Sequence, residues 1–250
     1  MPGHLPDFNT VYVVVVIFAA TMIRSTLGFG EALIAVPLLA FRIPVAVAAP
    51  LAVLVSIVVA LVVVLQDWRR IEIRAASGLV VSSFFGIPLG LFLLAKADDD
   101  VVKVILGTII VAFSTYFLIL RRTLHLRHDH AGWMIGCGFV SGILGGAYGM
   151  NGPPLAVYGT LRRWSPQHFR ATLQGYFLPA SIAGLFGYAS IGLWNSTISR
   201  YFLVSLPAVA TATFLGRAIN HRITGDRFFR LVYAGLMVIG AALLIQAAVG

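Results

Sequence analysis

Two glycine-rich interruptions hold the residues of this chain that are best suited to bind a solute. The first, Gly-Phe-Gly-Glu at 28–31, breaks the apolar stretch 11–41, and the second, at 145–154, breaks the stretch 133–161. Backbone that leaves a helix inside a bilayer loses its internal hydrogen bonds, and each unsatisfied group costs several kcal/mol. Such breaks persist only where protein covers them or where they line a polar cavity. Paired breaks in two halves of a chain indicate a transport site.

The residues around each break predict a short helix whose N-terminus faces a bound anion. Pro153 and Pro154 suit a first helical turn, and Asn151 is a typical N-cap residue. Free N–H groups and the macrodipole at such an end favour negative charge, so two converging ends predict an anion site without a formal charge. Alternatively, the glycines serve only close helix packing. The candidate substrate-binding residues are Arg24, Gly28, Phe29, Gly30, Tyr148, Gly149, Met150, Asn151, Gly152 and Gln174.

Arg24 and Glu31 are charged residues at the first break. Arg24 lies 13 residues after Val11 (24 − 11 = 13), or about 20 Å along a helix, which is too deep for its side chain to reach the surface easily. Its guanidinium is a candidate bidentate ligand for an oxyanion; alternatively, it is a permanent partner of Glu31. Because burial disfavours the charged form of a carboxyl group, Glu31 is in turn a candidate for proton coupling.

The composition indicates a membrane protein with one integral domain covering residues 1–250. Hydrophobic residues make up 59% of the chain and charged residues 11%, with a mean hydropathy of +0.94. The net charge of +9 lies in short loops, where basic residues set membrane orientation, so we expect a lipid bilayer and no nucleic acid as partner. No apolar segment contains an Asp, and the histidines lie at segment ends or in loops, which argues against an intramembrane enzyme. No cofactor or metal site is expected, since the tract 125–130 resembles a metal site in composition only.

Apolar segments and loop charges together predict the topology. Six unbroken apolar stretches lie at 45–66, 75–95, 101–120, 171–192, 201–215 and 228–249. Basic loops at 67–74, 121–131, 162–170 and 217–230 should be cytoplasmic. All four fall on one face if each broken segment enters the membrane and returns on its own side, which places both termini in the periplasm. If both broken segments cross fully, two basic loops lie outside.

The predicted fold is an all-α integral membrane protein with two inverted repeats. Each repeat has one glycine-broken re-entrant element with a half-helix, followed by three transmembrane helices. An offset of 121 residues aligns Gly28 with Gly149 (149 − 28 = 121) and places repeat 1 at about 9–120 and repeat 2 at about 132–249. A basic cytoplasmic linker at 121–131 joins them.

The motif from Gly28 to Pro37, together with Gly-Met-Asn-Gly-Pro-Pro from Gly149, resembles the TauE/SafE family of sulfite-exporter-like permeases. Glu31 stands where small residues are common in that family. The resemblance covers most of the chain and implies a secondary transporter for sulfite, sulfonates or related anions in the bacterial inner membrane. The alternative is an anion channel or a membrane scaffold without a transport cycle. A homo-oligomer is left open.

Overall fold

In a computed structural model, every regular element of the described residues, 8–119, 131–162, 164–220 and 226–249, is helical. The predicted linker, the tract 125–130 and His221 fall in the gaps, outside the described residues. The helices are α1 (Phe8–Leu27), α2 (Glu31–Leu39), α3 (Val45–Asp67), α4 (Ile73–Lys96), α5 (Asp99–Ile119), α6 (Ala131–Tyr148), α7 (Gly152–Leu161), α8 (Pro166–Ser190), α9 (Ser196–Asn220) and α10 (Asp226–Val249), with a 3-10 turn at Trp68–Arg70.

The all-α membrane architecture predicted from the sequence is confirmed. Each of the six unbroken apolar stretches falls on one long helix, namely α3, α4, α5, α8, α9 or α10. Within the described residues, six helices are long and apolar enough to cross a membrane: α1, α3, α4, α5, α6 and α9. The chain is therefore a multi-pass membrane protein. The helix before the first break, α1, has 20 residues and spans about 30 Å.

Both predicted breaks are present, and glycine makes them possible. Gly28, Gly30 and Gly149 have φ angles of 87°, 99° and 64°, a left-handed conformation that costs a residue with a Cβ atom free energy. The chain therefore leaves α1 at Gly28 and enters α2 at Glu31. It likewise leaves α6 at Tyr148 and enters α7 at Gly152.

The predicted offset of 121 residues also relates the helix starts in the two halves. It maps Glu31 onto Gly152, the first residues of α2 and α7, and Val45 onto Pro166, the first residues of α3 and α8 (152 − 31 = 121; 166 − 45 = 121). The main contacts between long helices pair α4 with α6, α1 with α9, α3 with α8 and α5 with α10. Every one of these pairs joins the first half of the chain to the second.

Two groups of polar contacts define the two ends of the helix bundle. One end holds three hydrogen bonds: Tyr12 Oη to the Leu38 carbonyl (2.6 Å), Val45 N–H to Asp99 Oδ1 (3.1 Å) and Arg200 Nη2 to Thr10 Oγ1 (3.4 Å). The other end holds Glu72, whose N–H donates to Thr172 Oγ1 (3.0 Å) and whose Oε1 accepts from Arg162 Nη2 (3.3 Å). The hairpin formed by α1 and α2 therefore begins and ends at the first of these ends.

Glycines allow α4 and α6 to touch through their backbones. A methyl group on Gly86 would lie 2.1 Å from the Phe139 carbonyl oxygen, and one on Gly142 would lie 2.3 Å from that of Ser83. Small residues permit this approach between membrane helices. The glycines of α4 and α6 therefore serve close helix packing, while the positive-φ glycines form the breaks.

Candidate functional site

The two breaks meet inside the bundle around a small cavity. A methyl group on Gly152 would lie 3.1 Å from the Phe29 ring, so the start of α7 contacts the first break directly. The cavity has a volume of about 20 Å³, which is room for a single water molecule. It is lined by Arg24, Gly30, Glu31, Ala32, Leu33, Ser56, Gly149, Met150, Asn151, Gly152, Pro153 and Phe177.

Arg24 is the centre of a buried polar network at this cavity. Only 3% of its side chain is exposed, and its Nη1 forms a salt bridge with Glu31 Oε2. Nη1 also donates to Ser56 Oγ (2.8 Å), and Nη2 donates to Gln174 Oε1 (2.7 Å). The guanidinium lies 5.2 Å from the centre of the Phe177 ring, in cation–π contact. Its Nε–H is buried and has no hydrogen-bond partner among the described residues.

Glu31 is held as the carboxylate partner of Arg24 in the first turn of α2. Its side chain is 1% exposed, and its second oxygen, Oε1, accepts a 2.7 Å hydrogen bond from Thr21 Oγ1. Negative charge is favoured at a helix N-terminus, and Gly30 provides no side-chain cap. The protein's own carboxylate thus lies at one of the two helix ends that were predicted to face an anion.

The second break is polar but uncharged. The Asn151 carbonyl accepts a 2.6 Å hydrogen bond from Ser141 Oγ, which in turn accepts from Tyr176 Oη (3.1 Å). Asn151 stands at the N-cap position of α7, but its φ and ψ are helical and its side chain makes no capping bond. Its predicted N-cap position is therefore confirmed, while the side-chain capping bond is absent. Its buried Oδ1 has no hydrogen-bond partner among the described residues, because the side chain packs against Gly145.

The offset of 121 residues shows that the two breaks are chemically unequal. It maps Arg24 onto Gly145 and Glu31 onto Gly152 (145 − 24 = 121; 152 − 31 = 121). The buried ion pair therefore occurs at the first break alone. The cavity where the two helix ends meet therefore also carries formal charges, since an arginine and a glutamate both line it.

The structure brings most of the predicted site residues together. Arg24, Gly30, Glu31, Gly149, Met150, Asn151 and Gly152 line the cavity. Gln174 reaches it through Arg24 and also donates from Nε2 to the Gly28 carbonyl (2.7 Å). Phe29 packs on Gly152. Tyr148 is buried but does not line the cavity, because its hydroxyl donates to the Val102 carbonyl (3.0 Å) on α5.

Sequence reasoning missed three residues that complete the network, namely Thr21, Ser56 and Phe177. Ser56 is the twelfth residue of α3, in the middle of the most apolar helix of the chain. A serine within so apolar a helix is the sequence feature that could have identified Ser56 as a site residue. Nothing in the sequence distinguishes Phe177 from the other aromatic residues of the membrane segments.

The family profile described as sulfite exporter TauE/SafE matches residues 13–244, which include both breaks and every residue of the cavity. The chain belongs to the TauE/SafE family. A curated relative from Cupriavidus necator, named probable sulfite/organosulfonate exporter TauE, is 26% identical over 181 residues, which cover 72% of this chain and 70% of the relative. No solved structure matches the chain significantly. The TauE/SafE relatives are named as exporters, and the chain is accordingly a membrane transport protein and not an enzyme.

Proposed function

We propose that this chain is a secondary transporter of small sulfur-containing anions such as sulfite or sulfonates. The supporting observation is that two helix breaks, one from each half, meet at a cavity that holds a buried arginine. An arginine buried in a membrane protein marks a substrate pathway or pairs with a partner, and Arg24 has both a partner and a spare Nε–H donor. The family and the exporter name of the Cupriavidus necator relative give the substrate class.

The substrate's oxygens bind where Arg24 and the first turn of α7 face one another. Pro153 and Pro154 have no N–H groups, but the N–H of Gly152 and the helix dipole favour negative charge at this end. Bidentate contact with a planar guanidinium suits an oxyanion, while Gln174 and Ser56 hold that guanidinium in place.

In this proposal, the structure corresponds to a closed state of an alternating-access cycle. A cavity of about 20 Å³ accepts one water molecule but is too small for a sulfonate, so substrate entry requires the helices around it to separate. The small cavity also argues against a permanently open channel, which is the alternative function. The offset of 121 residues relates α1 to α6 and α4 to α9, so the contact of α4 with α6 has a counterpart in the contact of α9 with α1. This correspondence supports two inverted repeats, the arrangement found in many secondary transporters.

We assign the membrane orientation by combining the two ends of the bundle with the charges of the loops. Thr10, Arg42, Asp99 and Arg200 belong to the end that we place in the periplasm, where Arg42 stacks on Phe8. Glu72 and Arg162 belong to the cytoplasmic end, close to the basic loops. With α1–α2 and α6–α7 as re-entrant hairpins, both termini lie in the periplasm of a bacterium and the protein lies in its inner membrane.

Proton coupling through Glu31 completes the proposed function. A proton gradient can drive uphill movement of an anion only if a group in the pathway changes its protonation state during the cycle. Among the described residues that line the cavity, Glu31 is the one carboxyl group.

Uphill accumulation in proteoliposomes tests the proposal. Purified protein is reconstituted, a pH gradient is imposed, and the uptake of radiolabelled sulfite and of a small sulfonate is followed. We expect either anion to accumulate above its external concentration, and a protonophore to abolish the accumulation. Flux that only equalises the two concentrations would identify a channel, and no flux of any sulfur anion would favour a scaffold.

A further inference from the structure

We infer that Glu31 is an internal anion that competes with the substrate for Arg24, so that each bound anion requires one proton to be taken up by Glu31. This inference rests on the proposed function and specifies how its binding site is regulated. It starts from the finding that the cavity already contains a complete ion pair, formed by Arg24 and Glu31 with side chains 3% and 1% exposed.

The first reason is the charge of the buried site. Arg24 and an ionised Glu31 sum to zero, so a monovalent anion entering the cavity would leave a net charge of −1. An uncompensated charge away from water is strongly disfavoured. If Glu31 is protonated at the same time, Arg24 and the substrate form the new ion pair, and the buried charge returns to zero.

The second reason is the chemistry of the contact itself. Glu31 Oε2 accepts from Nη1 of Arg24, and a guanidinium carries donors only. A proton from water that binds Oε2 places an O–H donor opposite an N–H donor, so the contact opens. Nη1 is then free to donate to an oxygen of the substrate. Nε, which lacks a partner among the described residues, supplies a further donor. The proton stays on Glu31 until the substrate leaves and the ion pair forms again.

Among the described residues, Arg24 is the charged group that pairs with Glu31. The helices packed against α2 are α1, α3, α5 and α10, and the nearest helix of the network, α8, carries Arg170 beside Gly28. The other described ionisable side chains on α1, α3 and α5 have partners elsewhere: Tyr12 at Leu38, Asp67 at Arg70, Lys103 at Asp99 and Asp100, and Tyr116 at Phe117. On α8, His168 contacts Ser165, Tyr176 donates to Ser141 and Tyr188 donates to the Gly145 carbonyl. On α10, Tyr233 stacks on Phe117, while the side chains of Asp226, Arg227 and Arg230 lie outside the described residues.

Calorimetry on the purified full-length protein tests the exchange. Binding of 2-hydroxyethanesulfonate is titrated in two buffers with different heats of ionisation, which gives the number of protons taken up per bound anion. This sulfonate stays monovalent between pH 6 and pH 8. For wild type at pH 8 we expect about one proton per anion, and an affinity that falls by up to tenfold per pH unit, the limit for one linked proton.

Glu31→Gln removes the charge and keeps an oxygen that can accept from Arg24. We expect this variant to take up no proton, to bind equally well at pH 6 and pH 8, and to bind at least tenfold more tightly than wild type at pH 8. Ser56→Ala is the matched control, since Ser56 also accepts from Nη1 but carries no charge. We expect it to retain the proton uptake even if binding weakens. If sulfite is the anion bound, the quantity to compare is the difference in proton uptake between wild type and Glu31→Gln. Protonation of the sulfite itself contributes equally to both measurements and cancels in this difference.

The outcomes separate the inference from the proposed function. Two outcomes overturn the inference and leave the proposed function intact. One is anion binding by wild type without proton uptake, and the other is weaker binding by Glu31→Gln than by wild type at pH 8. Should Glu31→Gln not fold, the proton count of wild type decides. Failure of wild type to bind either sulfite or the sulfonate contradicts the proposed function, and the inference falls with it.

Discussion

Gln174 and Arg24 are joined by a 2.7 Å hydrogen bond although 150 residues separate them in the chain. The same amide group donates from Nε2 to the Gly28 carbonyl. One side chain of α8 thus satisfies both a charged group of α1 and a carbonyl that the first break removes from the helical ladder. The second half of the chain holds the break of the first half in place.

Gln174→Ala should therefore weaken both stability and transport. The change leaves the Gly28 carbonyl buried without its side-chain partner and Nη2 of Arg24 with only a 3.4 Å hydrogen bond to the Ser56 carbonyl. We expect a loss of about 2–3 kcal/mol in the free energy of unfolding. Denaturant unfolding in detergent measures it, beside anion uptake in proteoliposomes. Gln167→Ala, at an exposed position of the same helix, is the control and should behave as wild type. Unchanged stability in Gln174→Ala would contradict the bridging role.

Arg24→Ala should abolish anion transport. Removing one member of a buried ion pair leaves the other uncompensated, so the variant should also lose about 3–5 kcal/mol of stability. Arg42→Ala, which removes a cation that stacks on Phe8 and Tyr12 away from the cavity, should retain transport.

A double variant separates folding from function at the same position. Arg24→Met combined with Glu31→Leu removes both charges, so most of the lost stability should return while transport should not. Thermal unfolding and uptake are measured on the same preparations. Wild-type flux in either variant would remove Arg24 from the substrate site.

Single-cysteine labelling should place the loops on the faces given by their charges. In a Cys137→Ala background, a membrane-impermeant thiol reagent should reach Arg42→Cys and Asp99→Cys from the periplasm. Arg122→Cys, Arg163→Cys and Arg222→Cys should react only from the cytoplasm. Labelling of positions 122 and 163 from opposite faces would show that α6 and α7 together cross the membrane, and the re-entrant hairpin would be wrong.

The close contact of α4 with α6 should tolerate no added side chain. Gly142→Ala places a methyl group 2.3 Å from the Ser83 carbonyl oxygen, and we expect it to cost about 1–3 kcal/mol of stability. Gly136→Ala lies on the same helix with nothing within 4 Å. It should be neutral or stabilising by up to about 1 kcal/mol, because alanine is the better helix former. Equal stability of the two variants would mean that the two helices separate easily.

The sequence was sufficient for the helices and for the breaks between them. Local chemistry decides these features, since glycine permits the left-handed backbone at Gly28 and Gly149 and the paired prolines fix the start of α7. The pairing of Arg24 with Glu31 was one of two alternatives, because seven residues and a break of unknown geometry separate them. The structure shows the pair formed.

The remaining contacts of the site depend on tertiary packing, which no local pattern encodes. Ser56 and Gln174 reach Arg24 from two different helices, and their convergence follows from how α3 and α8 cross. Asn151 was expected to cap α7, but the packing at Gly145 turns its side chain elsewhere. Tyr148 was expected at the cavity for its position in the motif, and a carbonyl on α5 holds it instead.

The backbone contact between α4 and α6 constrains which parts of the protein can rock against each other. Helices that touch carbonyl to glycine, with no side chain between them, have little freedom to slide or tilt. Yet α4 comes from the first half of the sequence and α6 from the second. The mechanical units of this transporter therefore cannot be its two sequence halves, and any rigid body that carries α4 carries the rim of the second break with it.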